Sequence, residues 1–195
     1  MNTERLQAFS DAVIAIIITI MVIELHPPIT HELNDFIQIV PKFIAYLFSF
    51  LIIAIYWNNH HHLLKPTSRV SPVIMWSNML LLFCLSLVPF GTAWLGESKN
   101  YLNEWPVFIY SVIALLCAVA YYILSKSIAF AHPNTKLEEE INNSKKGLVS
   151  LIIYILSAVF SFISPIISLF LLATTALIWF IPSKQLETLV DGSSE

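Results

Sequence analysis

Long apolar runs separated by short polar links set the pattern of this chain. Ala12 to Ile23 carries no charge; Arg5, Ser10 and Asp11 precede or enter it, and Glu24 closes it before His26-Pro27-Pro28. Further runs cover 36–57, 72–95 and 105–131, and a last apolar stretch covers 148–181, interrupted by Ser164-Pro165. A bilayer core asks for about 20 apolar residues at a rise of about 1.5 Å each. The first four runs therefore read as membrane-crossing helices. The last stretch is too long for one crossing, and proline disfavours helix at the residue before it. It divides into two. The pattern predicts an all-α membrane protein with six transmembrane helices, at about 4–25, 36–57, 72–95, 105–131, 148–164 and 166–181, in a single domain over 1–195. Five helices plus a re-entrant segment is the alternative.

Composition agrees. Hydrophobic residues make up 57% of the 195, charged residues 12%, and mean hydropathy is +0.75. Soluble domains carry about 25% charged residues. A net charge of −3 gives no reason to expect a nucleic-acid partner. Cys84 and Cys117 both lie inside apolar runs, which argues against a disulfide framework or a thiolate metal site. The first run lacks a small-residue cleavage site and reads as a helix, not a signal peptide.

Lysine and arginine bias sets the expected orientation. With six crossings, Arg5, Lys65, Arg69, Lys126, Lys136, Lys145, Lys146 and Lys184 share one side, leaving Lys42 and Lys99 on the other. The expectation is a multi-pass protein of the cell membrane with N- and C-termini cytoplasmic. The outer links carry Glu24, Glu32, Asp35, Glu97 and Glu104.

Chemistry narrows by exclusion. Adjacent helical residues project about 100° apart, so His60, His61 and His62 cannot all face one ion, and no metal or other cofactor is expected. Nucleophile elbows, zinc-protease motifs and phosphate loops are missing, so no enzyme is expected. With only four glycines, a carbonyl-lined selectivity filter is excluded too. A small-solute or ion transporter stays open as an alternative, although the prolines sit near helix ends and not at matched midplane positions.

Angular bookkeeping separates two faces on the first helix. Ile16, Ile20 and Ile23 share one stripe with Thr19 beside it, whereas Asp11 points about 140° away. Such a stripe suits lipid, packing or a symmetry axis.

Arg5-x-x-x-Phe9-Ser10-Asp11 resembles the signature of the transmembrane protein 175 family of potassium channels. Trp57 with His60 and His61, Trp76-x-Asn78 and Pro89-Phe90 extend the likeness over about residues 4 to 95. The chain has room for one six-helix repeat and is similar to the prokaryotic members, which assemble as homotetramers around their first helices. The resemblance implies a channel passing potassium, modestly preferred over sodium among monovalent cations, in contact with membrane lipid. Ile16 would form the constriction, with Thr19, Ile20 and Ile23 lining the path and Glu24 ringing the outer mouth. Arg5, Phe9, Ser10 and Asp11 would tie the first helix to the next two through His60, His61, Trp76 and Asn78. An ideal helix also places Arg5 on the Ile16 stripe, about three turns away. Either the helix begins irregularly, or Arg5 lies at the inner mouth.

Overall fold

The computed structural model describes residues 2–27, 33–67, 70–97 and 103–180, with side chains from residue 37 onward in the second segment. Glu32, Arg69, Lys99, Ile181 and Lys184 lie outside the described residues, as does the Asp35 side chain. The helices are α1 (Thr3–Ile23), α2 (Leu33–Leu64), α3 (Pro72–Ser86), α4 (Val88–Glu97), α5 (Glu104–Ala131), α6 (Lys136–Asn143), α7 (Lys146–Phe160) and α8 (Pro165–Phe180).

Among the described residues, five segments are long and apolar enough to cross a membrane: Thr3–Ile23, Ile37–Leu64, Pro72–Glu97, Glu104–Ala131 and Lys136–Phe160. The third joins α3 to α4 and the fifth joins α6 to α7. The sixth apolar helix, α8, is shorter at 16 residues. It packs back against α7 after the turn at Ser164-Pro165, where the sequence divides the last stretch.

Local chemistry sets the helix ends. The Asn2 side chain accepts from the Glu4 N–H and caps α1. Ser71 caps α3 through the Ile74 N–H, with Pro72 at the first helical position. Pro89 cannot donate to the carbonyl four residues back, and the chain re-forms at Leu87, whose N–H turns to Cys84. The crossing expected over 72–95 is thus one span, Pro72–Glu97, built from two abutting helices.

Helix α2 runs past the expected end at Trp57 to Leu64. The polar run Asn58 to His62 looks like an exit from the membrane. Instead Asn59, His60, Leu63 and Leu64 are buried against the rest of the subunit, and tertiary packing carries the helix onward. The polar segment 132–147 likewise holds a helix. Thr135 caps α6 by accepting from the Glu138 N–H, Glu138 accepts from the Asn134 N–H, and Leu137 and Ile141 pack inward.

The interior is small and hydroxylic while the outside is large and apolar. Ser10, Ser49, Ser111, Ser157, Ser168 and Thr175 are fully buried, whereas Phe83, Phe130, Phe170 and Leu177 face outward. Small residues let helices approach closely, and hydroxyls bond between them, as in bilayers where apolar burial gives little drive. Ser111, Ser157 and Ser168 join α5, α7 and α8 through hydroxyl contacts of 2.8–3.3 Å.

Candidate pore helix and its buried lock

Helix α1 divides cleanly by face. Leu6, Ser10, Ile14, Ile17 and Met21 are buried, each three or four residues from the next, the spacing of a single helical face. Opposite them Ile16, Ile20 and Ile23 are 58%, 44% and 65% exposed, with Thr19 among them. The subunit thus covers one side of its first helix and leaves the isoleucine stripe bare. Arg5 and Phe9 lie on this bare side as well. Because α1 is helical from Thr3, Arg5 belongs to its first turn and projects along the stripe, about 16 Å below Ile16.

The buried side carries a row of hydrogen bonds. His60 Nε2 donates to Asn78 Oδ1 at 2.6 Å, Asn78 Nδ2 donates to Ser10 Oγ at 2.9 Å, and Ser10 donates to the Leu6 carbonyl at 2.9 Å. His60, Asn78 and Ser10 are essentially without solvent contact. The row ties α1, α2 and α3 together at one level. His60 Nδ1 is buried without a partner.

Asp11 takes a partner that the motif alone does not name. Trp57 Nε1 donates to Asp11 Oδ1 at 2.9 Å, so the carboxylate binds the indole of α2 and not a histidine. His61 instead pairs through Nδ1 with the Gln7 amide and stacks beside Trp57. Gln7 escaped the sequence reading, although it stands one helical turn before Asp11 on the same face. Below them, Thr3 Oγ1 donates to the Thr67 carbonyl at 2.9 Å. The three adjacent histidines therefore go separate ways: His60 to Asn78, His61 to Gln7, and His62 edge-on against the His61 ring.

Trp57→Phe removes the indole donor while keeping an aromatic ring. A hydrogen bond to a charged group is worth about 1.5–3 kcal/mol. The variant is expected to unfold at a lower temperature in detergent than the native chain. An unchanged unfolding temperature would mean that this bond does not hold α1 to α2.

The structure does not draw every motif residue into this lock. Trp76 is 69% exposed, on the outward face of α3 with Val73, Leu80 and Phe83. Phe9 and Arg5 also stay outside it. At the other end of α1, Glu24 follows the last turn and borders a crevice of about 20 Å³ shared with Lys42 and Glu97. Lys42 and Glu97 pair at 3.4 Å. Gly96 brings α4 so close to α2 that an added Cβ would stand 2.9 Å from the Lys42 Cα.

Comparison with known proteins places this geometry. Residues 5–89 match the family described as endosomal/lysosomal potassium channel TMEM175. A potassium channel from Chryseobacterium sp. (strain P1-3) is 44% identical over 188 residues, covering 96% of this chain and 97% of that one. One from Chamaesiphon minutus is 33% identical over 138 residues, 67% of this chain and 68% of that one. A crystal structure of a lysosomal potassium-selective channel TMEM175 homolog from Chamaesiphon minutus superimposes with a TM-score of 0.80 at 28% identity, covering 91% of this chain and 95% of that one.

Proposed function

The chain belongs to the TMEM175 family and is a potassium channel of the membrane, not an enzyme, and from that premise we propose that four copies assemble with α1 of each lining a central pore. The observation that carries this reading is the bare stripe. Ile16, Ile20 and Ile23 face away from their own subunit on the helix whose opposite side is locked by Ser10 and Asp11. One subunit with so apolar a first helix cannot enclose a polar path, whereas four can share one.

In that assembly Ile16 forms the constriction. Isoleucine gives a cation no oxygen, so the ring works by width and wetting. Thr19 supplies the nearest hydroxyl. Its Oγ1 donates to the Ala15 carbonyl at 2.8 Å, which uses its proton and leaves the oxygen lone pairs as acceptors. Four such oxygens fall short of a full coordination shell, so the ion keeps part of its water and potassium is only modestly preferred over sodium. Glu24, about 12 Å beyond Ile16 along the helix, places four carboxylates at the outer mouth, where they concentrate cations and are screened by salt. Arg5 stands at the inner mouth. No cofactor takes part beyond the permeant potassium.

The test is reconstitution in liposomes with a potassium gradient, a sodium control and crosslinking of the same sample. Potassium flux exceeding sodium flux, with a crosslinked ladder ending at four, is expected. A ladder ending at one with flux retained would overturn the shared pore.

Both termini and α6 are placed on the cytoplasmic side. Cys84 and Cys117 are buried, so introduced thiols can be read above a low background. Asn143→Cys should react with an impermeant maleimide only after permeabilisation, and Asn103→Cys from outside in intact cells. The reverse pattern would invert the orientation.

A further inference from the structure

Away from the bare face of α1, the subunit contains a second hollow. A cavity of about 90 Å³ lies between α2, α5, α7 and α8 and opens beside α6. Its walls are mainly apolar and aromatic, with Ile52, Tyr56, Tyr154 and Trp179 facing it. Its rim is charged, with Lys126, Lys146 and Glu140. Along α2 the lining residues run from Ile52 to Leu63, about 16 Å of helix. An engineered apolar cavity of ~150 Å³ takes one benzene ring. This smaller hollow takes part of a narrow chain, not a fused ring system.

The rim has two ammonium groups to one carboxylate. Lys126 Nζ donates to the neutral Asn142 amide at 2.7 Å and lies 5.5 Å from the centre of the Tyr122 ring. It is thus held at the mouth by neutral partners. Helix α6 packs Leu137 and Ile141 into the subunit core and turns Lys136 and Glu139 outward, so the mouth is bordered by a polar helix face of the kind that meets water and lipid heads. Basic pockets between membrane helices on such a side bind anionic lipid heads.

We propose that this cavity binds the apolar chain of an anionic membrane amphiphile, with its head held at Lys126 and Lys146. Free fatty acid and anionic phospholipid share this chemistry. Occupancy presses on the Tyr56, Asn59 and Leu63 side of α2, next to the side that carries Trp57 toward α1 and His60 toward Asn78 of α3. The binding step does not depend on the pore assignment.

Photolabelling of the full chain in liposomes tests it. Three probes carry the same diazirine-tagged palmitoyl chain, as free acid, phosphatidylglycerol and methyl ester. The acid, the phosphatidylglycerol or both should label peptides containing Tyr154 and Trp179, and the arm that labels names the source. Ala176→Phe and Ala118→Phe, which fill the cavity from different helices, should each cut that labelling about tenfold, equivalent to about 1.4 kcal/mol of affinity. Lys126→Gln with Lys146→Gln should weaken labelling by the charged probes and leave the ester unchanged. The unlabelled form of whichever charged probe labels should compete in the native chain, which keeps the test decisive if both filling variants misfold. Equal labelling by the ester, failure of that unlabelled form to compete, or labelling no denser than at lipid-facing Phe83 would each overturn the proposal.

Discussion

Asn78→Leu is expected to be among the most destabilising single changes in the described part of the chain. Asn78 is fully buried and links His60 to Ser10. Ser10 keeps its bond to the Leu6 carbonyl when the amide is lost, so it suffers little. His60 suffers most. Its Nδ1 already lacks a partner, and without Asn78 the Nε2–H is stranded too. A buried donor left unpaired costs about 1–3 kcal/mol, and the interhelical bond adds up to about 1.7 kcal/mol in a bilayer, so a total of about 2–4 kcal/mol is expected. The check is a denaturant series in detergent with the double variant His60→Leu/Asn78→Leu beside it. Removing both polar partners together is nearly neutral when shape is kept. The double variant should therefore recover much of the loss. If its cost instead equals the sum of the two single changes, the row is not a coupled lock.

Ile16→Asn should have the largest effect on conduction. In the proposed four-subunit pore, four amides would hold water where four isoleucines would exclude it, lowering a barrier set by dewetting. Each ~1.4 kcal/mol removed from that barrier raises flux about tenfold. Total cation flux should rise steeply, sodium included, and the potassium preference should shrink. The exposed position of Ile16 makes misfolding a poor explanation for any change. Thr19→Ala should act in the other sense, lowering the potassium-to-sodium ratio without opening the constriction. Flux and ion ranking both unchanged in a folded Ile16→Asn tetramer would remove α1 from the pore.

How much of this was legible in the sequence depended on whether one helix or two had to be read. The apolar runs reported their own length, and the Ser164-Pro165 turn was visible because proline acts on its immediate neighbour. The two faces of α1 followed from spacing alone, and Asn78 followed from the family resemblance. The end of α2 did not. Asn59 and His60 look like residues leaving the membrane until α3, α5 and α8 are placed around them. Asn59 donates to the Trp179 carbonyl, 120 positions along the chain, and no local pattern carries that information. The Trp57 partner of Asp11 was hidden for the same reason. Histidines stood nearby, and only the rotation of α2 about its axis decides which ring arrives. Helix α6 was masked by its polarity, although Thr135 followed three residues later by Glu138 is a readable start signal.

The row from His60 to Leu6 also bears on protons. A relay must accept a proton at one end, release it at the other and then reset every hydroxyl and ring. Here the last member is a peptide carbonyl, which has nothing to release, and the central member is an amide, which neither gains nor loses a proton near neutrality. Reversing the row would turn the Asn78 amide over, break the Ser10 bond to Leu6 and leave a protonated His60 Nδ1 facing no acceptor. The arrangement is one-way and finished. This row of buried polar groups joins three helices and still offers protons no through-path.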